Sequence, residues 1–304
     1  MFAIPAAFAR TQVEVHGDIG VAWLARLPAT LAACAQRWEL AIEPPFPHLS
    51  YHYAAPAVRA DGTPVVVKAC APTGEFALEA ATLRAYDGRG AARLLASDAA
   101  REVLLLERLQ PGTLLLDLAD DEAATASAAG VMRALWCPVP QGHPFPAVAD
   151  WGRGFARLRR RYGGGTGPFP TALVERAERL YADLGASAAP PVLLHGDLHH
   201  YNILDAGPRG WLAIDPKGIV GEPAYEVGAF LRNRLPGPLP NPEAGDILAR
   251  RIAIFAAVLG LDGARIRAWG LAQAVLSAWW SMEDHGHGWE PALALAGLLA
   301  ASPE

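Results

Sequence analysis

The sequence predicts an α+β chain of two lobes, a small β-rich lobe over residues 1–109 and a larger α-rich lobe over residues 110–304. Three observations predict it. The chain has 304 residues, beyond the ~250–300 at which a single hydrophobic core stops growing. Turn residues and a β-branched run are concentrated ahead of Pro111-Gly112, and beyond that break the apolar positions recur mainly at helical spacing.

Residues 19–38 recur at helix spacing, and Pro28 predicts a break there between two short helices. From Leu40 to Ala69 the pattern changes. Pro44, Pro45 and Pro47 punctuate it, and Asp61-Gly62 supplies a hairpin turn before Val65-Val66-Val67-Lys68. That reads as a hairpin whose second strand is buried and carries a lysine. Helical periodicity returns over 75–86 and stops at Asp87-Gly88, and 102–109 reads as another buried strand. Beyond Pro111-Gly112, helices are predicted over roughly 113–136, 148–162, 171–185, 242–260 and 263–284.

Composition narrows the class of function. The chain is 52% hydrophobic and 19% charged, which excludes extended disorder. The longest strongly apolar stretch, 292–301, is about half of the ~20 residues that a spanning helix needs. No basic run precedes the apolar start, and Pro5 interrupts it, so a cytoplasmic protein without a membrane partner is expected. Cys34, Cys70 and Cys137 show no C-x-x-C spacing and predict neither a disulfide framework nor a cysteine zinc site. The net charge of −5 argues against a nucleic-acid partner and suits a cationic small molecule. Gly163-Gly164-Gly165-Thr166-Gly167 lacks the Gly-Lys-Ser/Thr of a phosphate loop and reads as an interhelical loop, with Arg157, Arg159, Arg160 and Arg161 before it as a solvated helix end.

The stretch 192–216, VLLHGDLHHYNILDAGPRGWLAIDP, carries the chemistry. A short apolar strand precedes His195-Gly196-Asp197, Asn202 follows, and a second strand ends in Asp215. A strand, a polar loop and a returning strand bring Asp197, Asn202 and Asp215 to one edge. Phosphoryl transfer needs such a group: a carboxylate beside the attacking hydroxyl, and oxygen ligands for Mg2+.

H-G-D-x-x-x-x-N followed by I-D-P resembles the aminoglycoside phosphotransferase branch of the protein-kinase-like fold, where it replaces H-R-D-x-x-x-x-N and D-F-G. The wider segments LRAYDGRGAARLL, LLLERLQPG, LHGDLHHYNIL and WLAIDPKGIVGEPAYEVGAFLRN resemble the streptomycin 6-kinase and hydroxyurea phosphotransferase family over about residues 40–285. The resemblance implies a bilobal kinase of antibiotic-resistance type, moving the γ-phosphate of ATP or GTP, with Mg2+, to a hydroxyl of a streptomycin-type aminoglycoside. A monomer or homodimer is expected.

Carried over by position, the resemblance makes Asp197 the catalytic base, Asn202 and Asp215 the metal ligands, and His195 the brace of the catalytic loop. Lys68 would bind the α/β-phosphates with Glu79, or alternatively Glu75, as its ion-pair partner. Glu107, Arg108 and Leu109 would form the hinge that meets the purine. The segment over the phosphates, Pro47-His48-Leu49-Ser50-Tyr51-His52-Tyr53, contains no glycine, so close backbone approach is harder there and Ser50 is the expected hydroxyl donor. Glu283 and Asp284, after Trp279-Trp280, are read as acids facing a cationic acceptor, with Trp289 and Glu290 as weaker candidates, or else as a solvated helix end.

Two other classes compete. His195, Asp197, His199 and His200 carry ligand types suited to zinc or iron, as a metallohydrolase would need. The missing glycines instead favour a kinase-like nucleotide-binding module without catalysis.

Overall fold

A computed structural model describes residues 2–47, 49–71, 73–235 and 241–301. The chain divides into two compact units, Met1–Gly112 and Thr113–Glu304.

The first unit opens with α1, Ala6–Trp38. Its helical geometry is broken at Gly17, with φ 54° and ψ −133°, whereas Pro28 lies within continuing helix. The expected break at Pro28 is therefore corrected. Proline removes one hydrogen bond, and the packing of neighbouring Leu27 and Leu31 in the core offsets that loss. Gly17 takes a backbone conformation that other residues avoid. By length and composition α1 could cross a bilayer, but Phe8, Trp23, Leu27, Leu31 and Cys34 are buried in this unit's own core.

Five antiparallel strands follow: β1 (Leu40–Ile42), β2 (Tyr53–Arg59), β3 (Pro64–Ala69), β4 (Leu94–Asp98) and β5 (Val103–Glu107), in the order β1-β2-β3-β5-β4. The Asp61-Gly62 turn joins β2 to β3 as expected, with Asp61 accepting from the Thr63 amide. Side chains alternate across a strand. Tyr53, Ala55 and Ala57 of β2, with Val65, Val67 and Ala69 of β3, belong to the core cluster that contains the α1 stripe. Lys68 is out of phase with these and projects to the other face. There it meets α2 (Glu75–Tyr86), which ends at Asp87 in the left-handed region.

The second unit is mainly helical. It contains α3 (Asp121–Leu135), α4 (Val148–Arg161), α5 (Thr171–Ala186), α6 (Pro223–Leu231), α7 (Pro242–Leu259), α8 (Gly263–His285) and α9 (Glu290–Ala301). Asp120, Asn241 and Asp262 cap α3, α7 and α8 through their side chains. Two short antiparallel pairs lie between α5 and α6: β6 (Val192–Leu194) with β9 (Ile219–Gly221), and β7 (Ile203–Asp205) with β8 (Trp211–Ala213). The middle of α8 is buried on all sides, from Ile266 and Trp269 through Trp279. Residues 163–167 form the expected link from α4 to α5. The arginines before it are not a purely solvated end, because Arg159 is paired with Glu178 and Arg157 with Glu283.

Candidate active site

The β6–β9 pair sets out the loop that begins at His195. The His195 carbonyl accepts from the Lys217 and Gly218 amides at 2.8 and 3.2 Å, and the Asn202 carbonyl from the Ile214 amide at 2.9 Å. These bonds stitch the 195–202 loop to the 214–218 segment. Asp197, Asn202 and Asp215 are thereby carried on adjoining backbone, as the sequence spacing predicts.

Gly196 has φ +87°, and a Cβ there would come within 3.0 Å of Ile219 and 3.1 Å of Trp151. Only glycine fits both the dihedral and the space. His195 is buried, and its Nδ1 accepts from the Asp197 amide at 3.2 Å. Nε2 therefore carries the proton and donates to the Ile214 carbonyl at 2.7 Å. Burial pushes the imidazole down to about 4, so it stays neutral and bonds both segments.

Asp197 keeps 32% of its side chain exposed. Burial pushes its pKa up, but the His199 hydrogen bond and the nearby Arg232 guanidinium outweigh that and hold it below the usual carboxylate range. His199 Nδ1 accepts from the Tyr201 amide, which leaves Nε2–H 3.5 Å from Asp197 Oδ2. The Arg232 guanidinium lies 3.6 Å from Asp197 Oδ1 and also donates to Gln273. Asn202 Nδ2 donates to the Asp197 carbonyl at 2.9 Å, a bond that does not use its amide oxygen. Asp215 sits at φ +59°, an unusual conformation for a residue other than glycine and one that clusters at functional sites.

Glu226 is a site residue that the sequence reading missed. It is buried on α6, and its two oxygens accept from the His195 amide at 2.6 Å and the Gly196 amide at 2.9 Å. Burial raises its pKa to about 7 against the pull of those amides. Its signal was available: a lone acid in the apolar run PAYEVGAFL must find buried donors. Arg232, at the end of the same run, was missed with it.

In the first unit, Lys68 Nζ donates to both Glu79 oxygens at 2.8 Å, and each side chain is only 4% exposed. Glu75, the alternative partner, is instead 3.0 Å from His52 Nε2. Ser50 is exposed; its carbonyl and that of Tyr51 accept from Gln12 on α1, which ties the glycine-free segment to the helix. His48 of that segment lies outside the described residues. Glu107 ends β5 and caps the Arg93 amide, Arg108 is 3.7 Å from Glu43, and Leu109 is buried.

The zinc-type histidine cluster does not assemble among the described residues. His195 spends both ring nitrogens on backbone, and His200 stacks on Phe230 at 3.9 Å, where burial holds it down to about 3. Nor is Glu283 a ready acid for a ligand, because both its oxygens accept from Arg157 at 2.7 and 2.8 Å. Trp279 is core, Trp280 meets Trp151 edge-on, and Trp289 lies against Phe169. A recess of about 930 Å³ in the second unit is lined by Val148, Phe155, Tyr181 and Trp269, and none of the three loop residues Asp197, Asn202 and Asp215 borders it.

A sheet unit with a buried lysine–glutamate pair and a helical unit with a braced H-G-D loop define a kinase-like phosphotransferase. Among solved structures, aminoglycoside phosphotransferase APH(4)-Ia in complex with ADP and hygromycin B is similar at TM-score 0.63 and 16% identity, covering 89% of this chain and 96% of that one. A choline/ethanolamine kinase family protein from Mesorhizobium loti matches at TM-score 0.69 and 15% identity, covering 92% and 96%. Streptomycin 6-kinase of Streptomyces glaucescens is 31% identical over 297 residues, 95% of this chain and 94% of that one. Hydroxyurea phosphotransferase of Kitasatospora aureofaciens is 35% identical over 291 residues, 92% and 81%. The family described as aminoglycoside/hydroxyurea antibiotic resistance kinase matches residues 43–285. The chain belongs to that family, and it is a small-molecule kinase.

Proposed function

We propose that the enzyme transfers the γ-phosphoryl group of ATP or GTP to a hydroxyl of a streptomycin-type aminoglycoside. The observation that carries this reading is the braced loop: an accessible, ionised Asp197 whose backbone is held by His195 and Asn202, in a loop whose His195 and Gly196 amides are held by Glu226. An ionised carboxylate at that point accepts a hydrogen bond from the substrate hydroxyl and aligns its oxygen with the γ-phosphorus. The hydroxyl's proton passes to Asp197 as the new P–O bond forms, and the nucleoside diphosphate leaves.

The donor set fits Mg2+, which favours hard oxygen ligands. Asn202 has its amide oxygen to give, and Asp215 offers a carboxylate from a strained backbone position. When bound, the ion neutralises phosphate charge. Lys68, oriented by Glu79, would hold the α/β-phosphates, with Ser50 donating to a phosphate and Glu107 and Leu109 flanking the purine. On this reading residues 1–109 bind the nucleotide and residues 110–304 carry catalysis and the acceptor. The family names of the relatives support an aminoglycoside acceptor, and the net charge of −5 suits a cationic one. Glu283 and Asp284 contact it only if Glu283 leaves Arg157. We place the enzyme in the cytoplasm, where its nucleotide donor is, as a monomer or homodimer.

The test is an ATP and GTP consumption screen against aminoglycosides, hydroxyurea and common sugars, followed by mass detection of product. Phosphorylated streptomycin supports the reading. Phosphorylated hydroxyurea without phosphorylated aminoglycoside overturns the acceptor, and no turnover with any of them overturns the activity.

A further inference from the structure

The first unit holds a second cluster of ligating groups, in which His52 and Cys70, neither used by the proposed phosphoryl transfer, meet Glu79. His52 precedes β2, Cys70 follows β3 two residues after Lys68, and Glu79 lies on α2. One ligating atom from each lies within 4.8 Å of the other two. Cysteine spacing gave no hint of this, because hairpin and helix assemble the group from three separate segments.

The state of His52 points to a ligand. Its side chain is nine-tenths buried, and Nε2 is engaged by Glu75 at 3.0 Å. Nδ1 is buried and has no hydrogen-bond partner among the described residues. A buried polar atom left without a partner destabilises the fold unless something binds it. A carboxylate on one ring nitrogen with a lone pair left on the other is the arrangement that supports a metal-ligating histidine. The donors also select the ion. A thiolate, an imidazole and a carboxylate suit Zn2+, whose bonds of about 2.0–2.3 Å set ligand atoms some 3.3–3.8 Å apart. Mg2+ prefers oxygen donors alone. Entry is available, since His52 lies next to exposed Tyr51 and beside half-exposed Glu75.

We propose that His52, Cys70 and Glu79 form an inhibitory site for Zn2+ or a similarly soft divalent ion. Binding releases the Cys70 thiol proton to solvent and forms a metal–thiolate bond, with a water free to complete the coordination. The site shares Glu79 with Lys68, both of whose 2.8 Å bonds end on its oxygens. A dication there repels the ammonium and takes the carboxylate that orients it. Zinc and nucleotide therefore oppose each other, a regulatory consequence that rests on the proposed role of Lys68 in phosphate binding. The coupling is reciprocal.

The experiment uses the full chain without nucleotide, titrated with Co2+ as a spectroscopic probe and Zn2+ by calorimetry. One equivalent of Co2+ is expected to give the near-ultraviolet band of a cobalt–thiolate bond, lost in Cys70→Ala and in His52→Ala, with circular dichroism confirming that each variant is folded. Zn2+ should raise the nucleotide Kd of the wild type by about 5- to 150-fold and leave that of Cys70→Ala unchanged. No band, or a band that persists in Cys70→Ala through another cysteine, overturns the site. A Cys70-dependent band with nucleotide Kd unmoved by Zn2+ overturns the inhibition. A Cys70-dependent band in a protein that binds no nucleotide leaves the metal site standing and defeats the kinase reading of Lys68.

Discussion

Replacing Glu226 by glutamine separates what this buried acid does for stability from what it does for the loop. Its folded pKa of about 7 lies above the ordinary 4.5 of an exposed glutamate. The unfolded chain therefore loses its proton first, and raising the pH from 4.5 to 7 removes stability. At ~1.4 kcal/mol per pH unit the loss reaches ~3 kcal/mol above pH 7 and vanishes below pH 4.5. Glutamine escapes that loss because it does not ionise. It offers one acceptor instead of two, so one of the His195 and Gly196 amides loses its partner, at about 1–3 kcal/mol. Glu226→Gln should accordingly match or exceed the wild type in stability at pH 7.5 and fall below it by about 1–3 kcal/mol near pH 5. Its kcat should nevertheless drop about 10²-fold at pH 7.5, since a loop misplaced by an ångström costs that much. Denaturant unfolding at pH 5, 6, 7 and 8, with steady-state kinetics, measures both. A stability gap that does not change with pH, or a wild-type kcat, would refute the role of the buried carboxylate.

Asp197→Asn should cut kcat by ~10²–10⁴-fold with nucleotide affinity nearly intact, whereas Asp215→Ala should weaken nucleotide binding only when Mg2+ is present; calorimetry with and without the ion distinguishes them. Lys68→Met alone strands the buried Glu79 and should destabilise the protein by ~3–5 kcal/mol, while Lys68→Met with Glu79→Leu should recover most of that stability without activity. Thermal unfolding and turnover assays on the single and double variants check it. Glu283→Gln with Asp284→Asn should raise KM for a cationic acceptor, each lost charged hydrogen bond being worth ~1.5–3 kcal/mol. Arg157→Ala, which frees Glu283, should lower that KM; if neither variant moves it, the acceptor lies elsewhere.

Much of the first unit was legible because its signals are local. The Asp61-Gly62 turn and the run Val65-Val66-Val67-Lys68 mark a hairpin without tertiary information, and the alternation that buries Val65 and Val67 also places Lys68 on the opposite face. Strand β4 was missed because Leu94–Asp98 carries only two strongly apolar residues, and its place at the sheet edge comes from pairing with β5. The helix break was read at Pro28 on intrinsic preference alone. The break instead falls at Gly17, whose missing Cβ permits φ 54°.

In the second unit, the convergence of Asp197, Asn202 and Asp215 on adjoining backbone was legible and the supports of that loop were not, for one reason. Asp197, Asn202 and Asp215 follow a spacing fixed by a strand, a loop and a returning strand, so chain connectivity alone brings them together. Glu226 and Arg232 reach the same loop from a helix some thirty residues on, and only the tertiary fold decides which backbone amides or carboxylate they meet. The partner of Glu283 was hidden on the same ground. Its partner Arg157 lies 126 residues away, so an acid that looks unclaimed in sequence is already claimed in space. A charged residue inside an apolar helical run thus requires a partner without naming it. For Glu226 that partner is the backbone of the 195–202 loop itself, which ties the protonation of one buried acid to the geometry of the loop that carries Asp197.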